Sequence, residues 1–160
     1  MVKKKRDVPA VGKGDEHRRV RLQILVLGLV CVTVALSYAH LAPGTYQDDD
    51  VDRYFMARHV WKAPSLLLNR WGMPLAVGLF ALPARLFGYA GVETANALVS
   101  AAAAVLTALA ALGTRRRWPW LAGLFFFFQP MVLNLSYSGL AEPLAALLVA
   151  AGYPVHEGWA

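Results

Sequence analysis

Four aspartates stand close together near residue 50: Asp48, Asp49, Asp50 and Asp52. Carboxylates this close repel one another, and the repulsion raises the proton affinity of at least one of them. Such a group suits the work of a general base or of a metal ligand. A solvated acidic loop with no chemical role is the alternative, and the residues alone leave the two interpretations open.

Basic side chains follow these aspartates within the next ten residues, and they are Arg53, Arg58, His59 and Lys62. On a helix Asp49 and Asp52 share a face, and Asp52 shares a face with His59. A divalent cation such as Mg²⁺ or Mn²⁺ on Asp50 and Asp52 is therefore one hypothesis. One histidine beside aspartates has no spacing specific to a metal, so the sequence requires no cofactor.

Three charged residues further along are also candidates for binding a substrate. Arg70 and Arg85 carry guanidinium groups, which contact phosphate oxygens in a bidentate way. For Arg85 we favour a second role, in which the side chain reaches up to lipid headgroups. Glu142 is predicted to begin an apolar helix, where it either stabilises the helix dipole or acts as an ionisable group at membrane depth.

The composition excludes several classes of protein. The 160 residues are 58% hydrophobic, whereas soluble domains are about 45–50% apolar. Most of the charge behind the net +6 precedes the first apolar run and lacks interleaved aromatic residues, so nucleic acid binding is not expected. Cys31 is the single cysteine, which excludes an internal disulfide and a zinc site with several thiolates. The chain contains no glycine-rich phosphate loop or nucleophile elbow.

The elements that must position these residues are membrane helices. The apolar run 22–41 has about the 20 residues that cross a hydrocarbon core of about 30 Å. The basic tail 1–21 precedes it, so the N-terminus is predicted to be cytoplasmic. A cleaved signal peptide is the alternative, but its apolar region would be only about 7–15 residues long. We therefore favour a retained anchor in a cell membrane.

A long external loop, 42–92, is predicted to follow this anchor and to carry the aspartates. Within it we expect an amphipathic helix around Tyr54 and Trp61 and an interfacial or re-entrant segment at 73–88. If 73–88 spanned the bilayer, Arg115–Arg117 would lie outside, against the positive-inside rule. The rest is predicted as three spans, 93–114, 118–135 and 140–152, of which the last is either complete or truncated. Between and after them we expect a cytoplasmic turn 115–117, an external turn 136–139 and a tail 153–160. The predicted fold class is all-α, a multi-pass transmembrane helical bundle whose external loop carries interfacial helices.

The order of motifs resembles a known superfamily. The acidic cluster precedes Tyr54-Phe55-Met56-Ala57-Arg58; then come Arg70-Trp71-Gly72-Met73-Pro74-Leu75, Leu86-Phe87-Gly88 and, later, a Ser-Gly-x-x-Glu-Pro-Leu stretch at 138–144. This arrangement, over residues 20–150, resembles the N-terminal part of GT-C glycosyltransferases. That superfamily includes protein O-mannosyltransferases, aminoarabinose transferases and polyprenol-dependent mannosyltransferases.

The resemblance implies inverting transfer of a hexose, in the manner of a mannosyltransferase, from a polyprenyl-phosphate sugar donor at the outer membrane face. It places the catalytic aspartate at Asp50 or Asp49, with Asp52 completing an Asp-x-Asp. It also implies that four residues contact the substrate, at the donor phosphate or near the reacting groups. These residues are Arg58, His59, Arg70 and Glu142. Members of the superfamily have many more spans, so we expect this chain to be an N-terminal fragment that is inactive alone.

Two other functions are compatible with the residues. The first is a small non-catalytic membrane subunit whose acidic loop docks a basic partner or a metal. The second is a transporter fragment, although no intramembrane charge pair or broken-helix repeat supports it. On every interpretation membrane lipids are the expected surroundings.

Overall fold

The computed structural model describes residues 13–41, 48–69, 73–113, 118–136, 138–139 and 141–156. Over these residues the regular structure is helical, without strands, which confirms the all-α prediction. In chain order the helices are α1 Lys13–Leu41, α2 Asp48–His59, a 3₁₀ helix Pro64–Leu68, α3 Pro74–Phe87, α4 Tyr89–Gly113, α5 Pro119–Phe127, α6 Pro130–Leu135 and α7 Glu142–His156.

Among the described residues, two helices are long and apolar enough to cross a membrane. They comprise Arg18–Ala39, within α1, and Tyr89–Gly113, which is α4. They overlap the predicted spans 22–41 and 93–114. α4 begins four residues earlier than predicted, because α3 ends at Phe87, Gly88 turns the chain with a φ of 65°, and α4 starts at Tyr89. This left-handed conformation is one that glycine adopts without steric strain.

The segment 118–135, predicted as one span, contains two helices. α5 ends at Phe127 and α6 starts at Pro130. Proline lacks a backbone N–H and suits the first position of a helix, so the chain restarts there instead of continuing. The nine residues of α5 reach about 14 Å at 1.5 Å per residue.

The external loop of the prediction contains α2, the 3₁₀ helix and α3. α3 has 14 residues, a length of about 21 Å, which is less than the hydrocarbon core of about 30 Å. It packs against both α2 and α4. Whether α3 dips into the interface stays a prediction.

In the part of the chain that the structure describes, two buried clusters hold the helices together. The first joins α1, α4 and α5, and small residues allow the helices to approach: a Cβ at Gly123 would collide with the Ala104 carbonyl oxygen and the Leu27 side chain. The second joins α2, α3 and the starts of α4 and α7, and its buried members are Ala57, Val60, Ala76, Val77, Phe80, Ala81, Ala84, Val92 and Ala141. This second cluster fixes α2, which carries the aspartates, against α3 and α4.

Candidate active site

Asp50 lies in the first turn of α2 and is fully buried, with 0% of its surface exposed. Its Oδ2 accepts a hydrogen bond of 2.5 Å from the Tyr89 hydroxyl, and its Oδ1 accepts one from the Gly139 N–H. One carboxylate therefore joins α2, the first residue of α4 and the turn before α7.

The surroundings of Asp50 raise its pKa above the ordinary value for aspartate. Removal from water has the largest effect, because burial disfavours the charged form, and the carboxylate of Glu142 adds to it. The hydrogen bonds from Tyr89 and Gly139 and the charge of Arg53 act in the opposite direction. The net result is a carboxyl group that holds its proton more strongly than an exposed aspartate.

Gly139 makes this arrangement possible because it has no side chain. A Cβ there would collide with Asp50 Oδ1 and would also crowd the Val92 side chain. The turn itself is held by α4: Asn96 Nδ2 donates to the carbonyl oxygens of Leu135, at 2.9 Å, and of Ser138, at 2.5 Å. Asn96 is fully buried, so a polar side chain within an apolar helix positions the backbone that binds Asp50.

Arg53, one turn after Asp50 on α2, is also buried, with 6% of its surface exposed. Its Nη1 lies 4.0 Å from Glu142 Oε2. Within the described part of the chain, Nε and Nη1 of Arg53 have no hydrogen-bond partner. Arg53 therefore supplies positive charge between two carboxylates, those of Asp50 and Glu142. The latter, a predicted substrate contact, remains exposed beside it.

The structure separates the aspartates that the sequence grouped. Asp49 and Asp52 are exposed, whereas Asp50 is buried. Residues two apart on a helix point to nearly opposite sides, so Asp50 and Asp52 are not brought together. Both oxygens of Asp50 already accept hydrogen bonds, and a divalent cation on Asp50 and Asp52 stays a prediction. Over the described ranges no group of three or more His, Cys, Asp and Glu residues is placed to hold a metal.

A basic cavity of about 370 Å³ lies at the other end of α2. The residues that line the basic cavity are Arg58, His59, Trp61, Lys62 and Arg85. Two of the predicted substrate-binding residues, Arg58 and His59, thus lie together. Arg70, the third predicted base, lies outside the described residues. Arg85 was not predicted as a partner of Arg58, because Arg85 is on α3 and only the packing of α3 against α2 joins them.

Neighbouring aromatic residues hold the walls of this cavity. The Arg85 guanidinium lies 5.4 Å from the centre of the Trp61 ring, and Trp61 Nε1 donates to the Ala81 carbonyl oxygen at 3.2 Å. Arg58 Nη1 donates to the Tyr54 hydroxyl at 2.5 Å. Since the cation–π contact and the hydrogen bonds restrain the side chains, the positive groups are positioned before any anion binds.

Tyr54 connects the two parts of the site. Its ring packs edge-on against Tyr89, with 5.5 Å between the ring centres, while its hydroxyl accepts the bond from Arg58. Tyr89 in turn donates to Asp50. The buried carboxylate and the basic cavity are thus joined through two tyrosines.

Sequence reasoning missed Tyr89, Asn96 and Gly139, and it treated Arg53 only as a neighbour of the acidic cluster. Asn96 could have been recognised from the sequence, because a side-chain amide inside an apolar helix needs hydrogen-bond partners. No family model, no curated protein and no solved structure matches the chain.

Proposed function

We propose that the chain is part of a GT-C-type membrane glycosyltransferase that takes a hexose, in the manner of a mannosyltransferase, from a polyprenyl-phosphate donor. One observation carries this proposal: α2 has an exposed aspartate beside an anchored one at its start and a cationic cavity at its end. A base and an anion-binding group at a fixed separation are what a displacement from a phosphate leaving group requires.

The separation suits the size of the substrate. His59 follows Asp49 by ten positions, which is about 15 Å along a helix, and it lies nearer the Asp49 side of α2 than Arg58, whose nine-residue offset points it to the opposite side. In inverting glycosidases the two carboxyl groups on either side of the sugar lie about 6.5–9.5 Å apart. A phosphate leaving group extends further from the sugar than a single glycosidic oxygen, so the larger distance leaves room for the sugar and its phosphate.

The exposures of the aspartates divide their roles. Asp49 is exposed, so an acceptor hydroxyl can reach it, and we assign it as the base. Asp50 has no exposed surface and both its oxygens are occupied, so we assign it as the positioning residue that fixes the start of α2. Asp52, one turn after Asp49 on the exposed side, faces the same solvent region.

The reaction then proceeds by one displacement. Asp49 takes the proton of the acceptor hydroxyl while the hydroxyl oxygen bonds to the anomeric carbon. The bond between that carbon and the phosphate oxygen breaks, and its electron pair stays on the phosphate. Arg58 and His59 stabilise the charge that develops there. Arg70 and Glu142 remain predicted substrate contacts.

The same proposal includes a membrane arrangement. α1 and α4 supply spans of a multi-pass protein with a cytoplasmic N-terminus, and α2 and α3 lie against the outer leaflet. The basic tail 1–21 supports this orientation through the positive-inside rule. A lipid-linked donor would then meet the site from the side of the bilayer.

Transfer of a labelled sugar from a polyprenyl-phosphate donor tests the proposal, in membranes from cells that express the whole reading frame. We expect Asp49→Asn to lower kcat by about 10²–10⁴-fold, the usual contribution of a general base. Asp15→Asn, an aspartate in the basic N-terminal part of the chain, is the matched control and should keep full activity. Unchanged turnover in both Asp49→Asn and Asp50→Asn would remove the catalytic assignment.

A further inference from the structure

An apolar groove of about 480 Å³ lies between α3 and α4. Its lining residues are Leu82, Pro83, Leu86, Phe87, Ala90, Gly91, Thr94, Ala95 and Leu98. Leu82 precedes Arg85 by three positions on α3, so the two side chains are neighbours on the helix surface. The groove and the basic cavity therefore lie next to each other around one helix.

The basic cavity carries more positive charge than a donor phosphate could balance. Arg58, Lys62 and Arg85 are cationic at neutral pH, and no carboxylate lines the cavity. Among the described residues, none of these three forms an ion pair with a carboxylate. A sugar linked through a phosphodiester brings a single negative charge, whereas a phosphate monoester carries about −1.5 to −2 at pH 7.

We propose that this site holds the released lipid monophosphate more tightly than it holds the sugar donor, so that retention of the carrier slows turnover. This inference rests on the proposed function. Cleavage of the bond between the anomeric carbon and the phosphate oxygen leaves the electron pair on the phosphate, which gains the second charge. The cationic cavity therefore matches the product of the reaction better than its substrate.

The groove fits the hydrocarbon chain next to that phosphate. Along α4 it extends from Ala90 to Leu98, a distance of about 12 Å. One leaflet of a bilayer has a hydrocarbon depth of about 15 Å, half of the full core. Leu82, Leu86 and Phe87 expose more than half of their surfaces along this path. The first part of a prenyl chain would bury these surfaces while its phosphate lies in the basic cavity.

Binding to the purified chain in detergent tests this preference without any sugar transfer. The probes are farnesyl monophosphate, a phosphate monoester, and farnesyl methyl phosphate, the corresponding diester. The two share one hydrocarbon chain and differ in charge. We expect the monoester to bind at least about tenfold more tightly at pH 7.5, the effect of one added charged hydrogen bond. The advantage should vanish at pH 5, because the second pKa of a phosphate monoester is about 6.

Three variants and one control assign the effect to the site. Arg85→Gln and Lys62→Gln should each reduce the advantage of the monoester, whereas Arg19→Gln, an exposed arginine of α1, should leave it unchanged. Leu86→Ala should weaken the binding of farnesyl monophosphate without changing the weak binding of inorganic phosphate.

Equal affinity for monoester and diester at pH 7.5 would overturn the inference, and so would an advantage that survives both Arg85→Gln and Lys62→Gln. Inorganic phosphate that competes as well as farnesyl monophosphate would remove the groove from the proposal. Because no acceptor or sugar is present, a failed transfer assay leaves these binding results interpretable. Likewise, equal affinities would leave the catalytic assignment of Asp49 standing.

Discussion

The Tyr89 hydroxyl donates a hydrogen bond of 2.5 Å to Asp50 Oδ2, between residues 39 positions apart in the chain. This bond fastens the first turn of α2 to the first residue of α4. Because Asp50 is the anchor and Asp49 precedes it, the bond also determines which aspartate faces the solvent.

Tyr89→Phe removes the donor and leaves the ring in place. We expect it to lower the free energy of unfolding by about 1.5–3 kcal/mol, the contribution of a hydrogen bond to a charged group. Denaturant unfolding of the detergent-solubilised chain measures the change. Asp52→Asn, an exposed carboxylate on the same helix, should change the stability by no more than about 0.5 kcal/mol. Equal effects of the two substitutions would contradict the anchoring role of Asp50.

Gly139→Ala places a methyl group where Asp50 Oδ1 lies. Overpacking of this kind lowers the free energy of unfolding by about 1–3 kcal/mol. Gly152→Ala is the matched control, because a Cβ at Gly152, within α7, meets no atom within 4 Å. Alanine is also the better helix former, so the control should be neutral or slightly stabilising. The prediction fails if both variants unfold at the same denaturant concentration as the original chain.

The raised pKa of Asp50 predicts how stability changes with pH. Between the ordinary aspartate pKa of about 3.9 and the raised pKa in the folded chain, the folded state binds more protons than the unfolded state. The contribution of Asp50 to stability therefore falls as the pH rises through this window. We expect the stability difference between the original chain and Asp50→Asn to vary with pH in this direction. A difference that does not change with pH would show that burial leaves the proton affinity of Asp50 unaltered.

Labelling in intact cells tests the orientation. In a Cys31→Ala background, a cysteine introduced at Asp52 should react with a membrane-impermeant maleimide added outside the cell. A cysteine introduced at Lys4 should react only after the membrane is opened, because the basic tail is predicted to be cytoplasmic. The reverse pattern would place the aspartates in the cytoplasm and exclude a donor site at the outer face.

The parts of the fold that the sequence predicts are those set by local pattern. The apolar runs that form α1 and α4 are long, and hydropathy alone detects them. The break between α5 and α6 could also have been predicted from the sequence, because Gln129-Pro130 interrupts the apolar segment. The prediction of a single span at 118–135 gave too little weight to that proline.

The division of the aspartates could not be predicted from local pattern. Asp49, Asp50 and Asp52 have the same side chain, and their environments depend on how α2 is rotated against α4 and α7. The partners of Asp50 are 39 and 89 positions away. Without the packing of the second buried cluster, nothing in the sequence distinguishes the anchored carboxylate from its exposed neighbours. The proximity of Arg85 to Arg58 could not be predicted either, because it also depends on how the helices pack.

A single residue, Gly88, separates the end of α3 from the start of α4, and Gly91 packs so closely on α3 that a Cβ would strike the Pro83 carbonyl oxygen. The short connection and the close packing therefore hold α3 and α4 at a fixed angle to each other. If α4 spans the bilayer as proposed, a change in bilayer thickness would tilt it, and α3 would move with it. Because the second buried cluster also fixes α2 against α3 and α4, we expect the distance between Arg85 and Arg58 to stay constant when the lipid composition of the membrane changes.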